Sequence, residues 1–345
     1  MDKILITRFR KPQIPEMFSA NLKKDKFEIV CPHYKDIPKT LYNIFKNRKK
    51  YKRVILISEP NWYTYLVMKT LDKKTEKIAF PYDIRNFRAM QKSWSIPRKI
   101  FNLIDRYCEK IVFIKSDKIL HKGKNDELSE LKFYNKIKNK PHYLFREFLD
   151  KSLDVKYISE NKLSAKDGKI HLAYAGVIHI YNDFVHEKTI NIFKRIVDQK
   201  IHLHVFGKSN PDIIELNKNN EYFHYEGSVH HSQLIKKLSI YDYGLDLHGR
   251  KDYKYKSDNI WDQTSFSNKL YDYILSKIPI IYSTNLKAVD EFIKKWKIGI
   301  GIPYTKTDDI NIPDTKSEEY HKIIKNMEKY IKTYTNDELL NFIKK

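Results

Sequence analysis

The chain has 345 residues, 41% of them hydrophobic, and no run approaches the ~18 apolar residues that a membrane span needs. A chain of this length exceeds what one hydrophobic core usually organises, so two domains are expected. Cys31 and Cys108 are the only cysteines and have no metal-binding spacing, which argues against a zinc site or a disulfide framework. The N-terminus also lacks the apolar segment of a signal peptide. The sequence therefore predicts a cytoplasmic protein that does not cross a membrane.

The formal net charge of +23 is unevenly distributed. Residues 1–150 hold 35 Lys and Arg against 17 Asp and Glu, whereas residues 151–345 hold 31 against 26. The chain is rich in Lys, Ile and Asn and poor in Gly and Pro, which is the composition that an AT-rich genome produces. Such a bias alone would place similar numbers of basic residues in both halves of the chain. The asymmetry predicts an anionic partner for the N-terminal half, with the inner face of a membrane rich in acidic lipids as the first candidate. How much of the charge is composition bias stays open.

Strands and helices alternate through the N-terminal half, which is typical of a doubly wound parallel sheet. No glycine-rich fingerprint follows the first strand, so a dinucleotide site is not expected there. A polar, Lys-rich stretch occupies residues 118–140. The predicted strands are residues 3–7, 27–31, 53–58, 77–80 and 111–115, and the predicted helices are residues 40–50, 61–71 and 97–108.

The loop after the fourth predicted strand carries two candidate catalytic residues, Asp83 and Arg85. Ligands of parallel sheets gather beyond the carboxyl ends of the strands, where this loop would lie. The two side chains could instead bond to each other and merely brace the loop. The residues alone leave both interpretations open.

A second alternating series begins after a polar linker at residues 151–168. Its period again indicates a parallel sheet flanked by helices. The predicted strands are residues 170–174, 201–206, 222–225, 243–247, 278–282 and 299–302, and the predicted helices are residues 187–198, 232–238, 288–295, 317–333 and 336–345, with one more between residues 265 and 276.

That additional helix carries the strongest candidate site. Ser265 or Ser267 is a possible N-cap. The helix start then combines Ser267, Asn268 and Lys269, which supply a hydroxyl, an amide and a cation beside free backbone N–H groups, a set that suits a phosphate ester. Asp272 follows one turn later. Lys269 could equally be a solvated surface lysine, and Asp272 a surface acid that pairs with it.

Four motifs in the C-terminal half, in this order, resemble the donor half of GT-B glycosyltransferases, most closely the family 4 type (glycosyl transferases group 1). They are Tyr174-Ala175-Gly176, His204-Val205-Phe206-Gly207, Tyr225-Glu226-Gly227-Ser228-Val229, and the stretch from Ser267 to Tyr273 followed by Ile278-Pro279-Ile280-Ile281. Together they span about residues 170–302. The resemblance implies an α/β fold of two facing Rossmann-like domains, each a parallel sheet flanked by helices.

The resemblance also implies roles for individual residues. Lys269, with Ser267 and Asn268, would meet the donor diphosphate, and Asp272 would bind the ribose. The glycines at the strand ends would let loops approach the donor, and Asp83 and Arg85 would lie where acceptor and reaction centre meet; the implied set is Asp83, Arg85 and Lys269 as catalytic residues and Gly176, Gly207, Lys208, Gly227, Ser267, Asn268, Lys269 and Asp272 as donor-binding residues.

Two departures from the family pattern concern charged residues. The family often has an acid eight residues before the ribose-binding one, where this chain has Thr264. The Arg and Lys that commonly follow the first glycine of the donor domain are also missing after Gly176. The nearest substitutes are His179, Lys208 and Arg250.

The resemblance predicts the biochemical function as well. It implies a hexosyltransferase that retains the anomeric configuration and moves a sugar from a nucleotide-diphosphate sugar to a glycan or lipid-linked acceptor in cell-surface polysaccharide biosynthesis. Neither a cofactor nor a catalytic metal is expected. Domains are predicted at residues 1–150 and 169–315, with the helices of residues 316–345 packing back on the N-terminal domain. Two alternatives stay open: a transferase of a polyol phosphate on the same fold, and a non-catalytic basic binding protein.

Other patterns indicate structure more than chemistry. His202 and His204 lie on one face of a strand, but two histidines without a third ligand are typical of packed residues. His230 and His231 are interpreted as loop residues beside the nucleotide site. The Tyr- and Lys-rich segment 251–256 suits nucleic acid in composition, yet no recognition module accompanies it, so no nucleic-acid partner is predicted. It is interpreted instead as a mobile loop over the donor.

Overall fold

The protein is represented by a computed structural model that describes residues 3–7, 27–58, 60–81, 84–87, 94–146, 149–178, 189–247, 260 and 262–345. The chain divides into two compact units. The first unit comprises Met1–Phe148 and Thr335–Lys345, and the second comprises Leu149–Tyr334.

Within the described residues, the first unit contains a six-stranded parallel sheet. Its strands are β1 (Lys3–Thr7), β2 (Phe27–Val30), β3 (Tyr51–Ser58), β4 (Glu76–Pro81), β5 (Lys118–His121) and β6 (His142–Leu144). They lie in the order β2-β1-β3-β4-β5-β6. The long central strand β3 is buried on both faces, because Val54 and Leu56 point to one side and Ile55 and Ile57 to the other.

Helices cover both faces of this sheet. Helices α1 (Ile37–Lys46), α2 (Asn61–Thr70) and α3 (Ile96–Lys115) pack against the face that carries Val54 and Leu56. The C-terminal helix Asp337–Lys344 packs Leu339 and Ile343 against the opposite face.

The second unit contains another six-stranded parallel sheet among its described residues. Its strands are β7 (His171–Ala175), β8 (His202–Phe206), β9 (Phe223–Gly227), β10 (Tyr243–Asp246), β11 (Ile280–Ser283) and β12 (Gly299–Ile302). They lie in the order β12-β11-β10-β7-β8-β9. The helices of this unit are α4 (Ser164–Asp167), α5 (Thr189–Val197), α6 (Pro211–Asn219), α7 (His231–Leu238), α8 (Lys269–Leu275), α9 (Lys287–Trp296) and α10 (Glu318–Thr333); the C-terminal helix Asp337–Lys344 is α11.

Both sheets contain a switch point, where neighbouring strands continue the chain in opposite directions. In the first sheet the switch point lies between β1 and β3, and in the second it lies between β7 and β10. A crevice forms beyond the carboxyl ends of the strands at such a point, and ligands of open α/β sheets bind there. The topology therefore directs attention to the ends of β7 and β10.

One predicted strand is wrong. Residues 111–115 form the last turns of α3, and the strand β5 follows at Lys118–His121, inside the stretch interpreted as a polar loop. Val112 and Phe113 continue the buried face that Cys108 and Glu109 begin at helical spacing. A short apolar run of β-branched and aromatic residues suits a buried strand and a buried helical turn equally well.

The C-terminal helices also differ from expectation. Helix α11 packs in the first unit, as predicted, but α10 lies in the core of the second unit through Tyr320 and Met327. Residues 151–168, predicted as a linker, likewise belong to the second unit and include the short helix α4. Helix α10 has a continuous apolar face that the second sheet buries, so the boundary falls after Tyr334.

Candidate active site

Three chain segments meet at the switch point of the second sheet. Strand β7 ends with Tyr174 and Ala175, β10 ends with Asp246, and α8 begins with Lys269. Strands β7 and β10 are neighbours, paired through Tyr243 with Leu172 and Gly244 with Ala173. The start of α8 therefore lies over the crevice between the two strand ends.

The ammonium group of Lys269 is held from both strands. Its Nζ lies 3.1 Å from Asp246 Oδ1 and 4.3 Å from the centroid of the Tyr174 ring. The Lys269 side chain is 14% exposed, whereas that of Asp246 is completely buried. Burial alone would lower the pKa of the Lys269 amine, but the neighbouring Tyr174 and Asp246 outweigh this effect and raise it. Lys269 is therefore a fixed cation at the edge of the sheet.

Tyr273 fixes the position of α8 relative to the sheet. Its hydroxyl donates to the carbonyl of Leu245 at 3.0 Å and accepts from the backbone N–H of Ala175 at 3.1 Å. The ring lies directly on Gly244, where a Cβ atom would come within 2.5 Å of it. One side chain, four residues after Lys269, thus ties α8 to both β7 and β10.

Three glycines stand side by side at the ends of β7, β8 and β9. The N–H of Gly176 donates to Phe206 O at 3.0 Å, and the N–H of Gly207 donates to Gly227 O at 3.1 Å. A Cβ atom on Gly207 would lie 2.5 Å from the carbonyl oxygen of Gly176. Only glycine permits this approach of backbone to backbone. The strand ends therefore present bare peptide groups beside the crevice.

Asp272 pairs with a histidine rather than with Lys269. His231 Nε2 lies 2.9 Å from Asp272 Oδ1, at the start of helix α7. The His231 side chain is 59% exposed, and that of Asp272 is 15% exposed. The sequence interpretation of His231 as a loop residue is wrong, because it begins α7 and orients the Asp272 carboxylate. The proposed pair between Asp272 and Lys269 does not form.

The start of α8 differs from the predicted capped helix. The helix begins at Lys269, and Asn268 occupies the N-cap position without a side-chain capping bond. Neither Ser265 nor Ser267 caps it, and the helix has only seven residues. The dipole of so short a helix contributes little, so the chemistry of this site depends on the Lys269 cation.

Arg85 lies in the first unit, in the turn Arg85–Phe87 after β4. Its Nε lies 3.7 Å from Asp105 Oδ2 of helix α3. The same turn is held by Glu109, which accepts the backbone N–H groups of Arg85 and Asn86, each at 2.8 Å. Asp83 lies outside the described residues. Arg85 is therefore braced from α3.

The remaining predicted residues take no part in these contacts. Lys208 is exposed just after β8, and the Thr264 hydroxyl donates to Ile260 O at 2.9 Å, so Thr264 cannot replace the missing acid. His179, Arg250 and residues 251–256 lie outside the described part of the chain.

His202 and His204 belong to a packed row of histidines across β7, β8 and β9. His204 Nε2 lies 2.9 Å from His171 Nδ1, and His202 Nδ1 lies 2.9 Å from His224 Nε2. Among the described residues, no group of three or more His, Cys, Asp and Glu side chains is arranged to hold a metal ion. The prediction that these histidines are packed residues is confirmed.

Asp246, Tyr174 and Tyr273 were missed as functional residues. Asp246 carries a signal in the sequence, because a carboxylate in the mostly apolar stretch of residues 243–247 needs a cation or N–H donors when the strand is buried. The two tyrosines carry none, because core tyrosines are common and only the fold brings them to Lys269.

Residues 183–340 match the family described as Glucosyltransferase 3-like, C-terminal domain. No curated protein sequence matches the chain. The matched residues include the start of α8, with Lys269 and Asp272, and the ends of β8, β9 and β10.

Several solved structures are similar over the whole chain. A glycosyltransferase from Rickettsia africae has 11% identity and a TM-score of 0.63, covering 100% of this chain and 99% of that one. An alpha-glucosyltransferase in complex with UDP-glucose and DNA containing an abasic site has 10% identity, a TM-score of 0.59 and 99% coverage of both chains. A UDP-glucosyltransferase from Polygonum tinctorium has 9% identity, a TM-score of 0.56, and coverage of 100% and 99%.

At these identities the likeness establishes the fold. The chain has the GT-B fold, as the sequence predicted, and its C-terminal part matches a glycosyltransferase domain family. The narrower resemblance to family 4 is not confirmed, because the matching family is the Glucosyltransferase 3-like one.

Proposed function

We propose that the protein is a glycosyltransferase that takes a hexose from a nucleotide-diphosphate sugar bound at the switch point of the second sheet. The observation that carries this proposal is the position of Lys269. Its ammonium group lies at the edge of the second sheet, mostly buried, between Asp246 and the Tyr174 ring. The family match of residues 183–340 supports a nucleotide-sugar donor, as do two of the similar structures, an alpha-glucosyltransferase in complex with UDP-glucose and a UDP-glucosyltransferase.

In the proposed reaction Lys269 stabilises the departing diphosphate. Negative charge grows on the leaving group as the glycosidic bond breaks, and a cation already fixed in place stabilises that charge without reorganising. An ammonium has three N–H donors, of which the contact with Asp246 uses one. Asp246 would hold the amine in place, and Lys269 would contact the phosphates.

The neighbouring residues would bind the rest of the donor. Asp272, oriented by His231, would accept hydrogen bonds from the ribose hydroxyls. Ser267 and Asn268 would contact the diphosphate beside Lys269. Lys208, together with the strand-end glycines Gly176, Gly207 and Gly227, would lie along the donor, where bare backbone leaves room for it.

The acceptor side is proposed to use Asp83 and Arg85 of the first unit, with transfer that retains the anomeric configuration. The acceptor class we propose is a glycan or lipid-linked precursor of a cell-surface polysaccharide. The excess of basic residues in the N-terminal half supports an acceptor that carries phosphate. The proposed charge stabilisation comes from Lys269 and requires no catalytic metal.

Nucleotide release from a panel of UDP-, GDP- and ADP-sugars tests the proposal. We expect one nucleotide class to be turned over, and Lys269→Met to slow that turnover by roughly 100-fold or more. Lys294→Met is the matched control, because Lys294 also pairs with an aspartate, Asp290, but its side chain is 68% exposed on helix α9. Release of a nucleoside monophosphate in place of the diphosphate, or a panel without any turnover, would contradict the proposal, as would equal rates for Lys269→Met and the control.

A further inference from the structure

The outward face of helix α3 is apolar, which reverses the usual pattern of a surface helix. Ile96, Ile100, Leu103, Ile104 and Tyr107 lie on one side of the helix and are between 51% and 73% exposed. We call these five residues the outward stripe. A surface helix of a globular protein normally carries its polar residues on this side. Contiguous exposed apolar residues mark an interaction surface.

The acids of the same helix point inward. Asp105 and Glu109 are almost completely buried. Asp105 accepts from Asn61 Nδ2 and from the N–H of Trp62, each at 3.0 Å, and Glu109 accepts from the turn after β4. The two carboxylates therefore hold the loops of the first unit, and none remains on the outer side of the helix.

The charge on the whole helical layer has one sign. Helices α1, α2 and α3 lie on the same face of the first sheet, and the structure describes all of them. Asp105 and Glu109 are their only acids, and both are buried. The layer carries eight basic residues: Lys39, Lys46, Lys69, Arg98, Lys99, Arg106, Lys110 and Lys115.

We propose that the outward stripe and the surrounding basic residues dock the first unit on a bilayer that contains anionic lipids. Apolar side chains at the centre of a basic face are the features of a helix that lies in the membrane interface. The stripe extends over about 16 Å of helix, so α3 would lie along the surface. No helix in the described ranges is long and apolar enough to span a membrane, so a surface association is the one that suits this layer.

The aromatic residues of the layer also suit contact with a lipid bilayer. Tyr42 and Phe45 of α1 are exposed beside the basic residues Lys46 and Arg48. Tyrosine favours the region of lipid headgroups, because its ring is apolar and its hydroxyl is polar. The aromatic and basic residues extend the proposed surface from α3 to α1.

The chemistry of the layer argues against two other partners, a second copy of this chain and a nucleic acid. A second copy of this chain that met the layer through the same face would bring two basic surfaces together without any exposed acid to pair with them. A nucleic acid would satisfy the charge but would leave the aliphatic side chains of the outward stripe against phosphates. An anionic bilayer satisfies both the charge and the apolar stripe.

Vesicle sedimentation of the full-length protein tests the proposal. We expect binding to vesicles of phosphatidylglycerol and phosphatidylcholine and little binding to phosphatidylcholine alone. Ile100→Gln with Ile104→Gln is expected to weaken the binding by roughly tenfold or more, since it removes two inserted side chains. Ile158→Gln with Ile214→Gln is the matched control, because both residues are exposed and lie in the second unit.

A second pair of variants separates charge from insertion. Lys46→Gln with Lys69→Gln is expected to weaken binding to the anionic vesicles by roughly tenfold. Lys236→Gln with Lys237→Gln, two exposed lysines on helix α7 of the second unit, is expected to leave it unchanged. Equal binding of the stripe variant and its control, or no wild-type binding to either vesicle, would overturn the proposal. A dimer in sedimentation velocity that the stripe variant abolishes would overturn it in favour of a second copy.

This inference does not depend on the proposed donor site. Nucleotide release without vesicles is expected to be the same for the stripe variant and the wild type, because Ile100 and Ile104 are exposed and neither is among the residues assigned to the donor or the acceptor. Failure of vesicle binding with normal nucleotide release rejects the docking surface alone. Normal vesicle binding without nucleotide release rejects the proposed function alone.

Discussion

The two units have the same kind of parallel sheet but use buried charge in different ways. In the second unit, the buried carboxylate of Asp246 holds a cation, Lys269, at the edge of the sheet. In the first unit, two buried carboxylates, Asp105 and Glu109, accept N–H groups from the chain's own loops. The second unit therefore presents a positive charge, Lys269, at the edge of its sheet. The buried carboxylates of the first unit instead hold its own loops in place.

This difference shows that a buried charge is informative only together with its partner. Glu109 is satisfied by backbone N–H groups, so its role is to shape the turn that contains Arg85. The partner of Asp246 is the amine at the end of the long Lys269 side chain, and Asp246 determines where that amine lies. The same residue type thus builds a loop in one unit and positions a candidate catalytic group in the other.

The largest expected effect on stability comes from breaking the internal network of the first unit. Glu109→Ala leaves the N–H groups of Arg85 and Asn86 and the Asn86 side chain without their acceptor. We expect a loss of about 3 kcal/mol in the free energy of unfolding, measured by urea denaturation. Glu160→Ala, at an exposed position of the second unit, is the control and is expected to leave the free energy of unfolding nearly unchanged. Equal losses for the two variants would contradict the role of Glu109.

Acidification is expected to affect the two units in opposite directions. Burial, opposed by its N–H donors and reinforced by Asp105, raises the pKa of Glu109 from 4.5 to about 7. Its contribution to stability is therefore present below pH 4.5 and is lost as the pH rises through 7. In the histidine row, burial and then His204 and His202 lower the pKa of His224 from 6.5 to about 4. The stability from His224 is present above pH 6.5 and is lost as the pH falls towards 4.

Hydrogen exchange resolved by peptide measures this difference. Between pH 7.5 and pH 5.5, corrected for intrinsic exchange, we expect the opening free energy of α3 to rise by about 1 to 2 kcal/mol. We expect the opening free energy of β8 and β9 to fall by a smaller amount, because solvent screens the partly exposed His224. His224→Gln is expected to reduce the change in β8 and β9 while leaving α3 unaffected. A shift in the same direction in both units would contradict the assignment.

A smaller effect is expected at the strand-end glycines. Gly207→Ala places a Cβ atom 2.5 Å from Gly176 O, so the backbone must move, at a cost of about 2 kcal/mol. Gly168, unlike Gly207, has a positive φ, of 72°, but nothing lies within 4 Å of its Cβ position, so Gly168→Ala is expected to cost about 1 kcal/mol. Thermal shift with UDP distinguishes the two variants further. Only Gly207→Ala is expected to weaken the nucleotide-induced shift, and an equal effect of both would remove the glycines from the donor site.

Much of the fold follows from the sequence, because alternating strands and helices repeat a simple period. One exception, residues 111–115, arose where the chain continues a helix through an apolar run that also suits a strand. Only the packing of Val112 and Phe113 beside Glu109 decides between the two structures.

The candidate site was less predictable. The sequence identified Lys269 and Asp272 as candidate site residues, because they lie on a helix directly before an apolar strand. It did not identify the residues with which they pair. The pairs Lys269 with Asp246 and Asp272 with His231 join residues that are 23 and 41 positions apart. Sequence spacing along one helix suggested a pair between Lys269 and Asp272, whereas the crossing of α8 over the strand ends determines the actual partners.

The central claim is that Lys269 acts on the donor and is not merely the counterion of Asp246. Lys269→Met alone leaves a buried carboxylate without its cation and is expected to be destabilised by about 3 kcal/mol, so activity loss in that variant has two explanations. The double variant Asp246→Asn with Lys269→Met removes both charges and is expected to regain most of the stability.

The most direct measurement is therefore nucleotide release by this double variant, with its free energy of unfolding measured in parallel. We predict a folded protein, within about 1 kcal/mol of the wild type, whose turnover remains reduced roughly 100-fold or more. A double variant that recovers both stability and wild-type turnover would contradict the claim and would leave Lys269 with a structural role only.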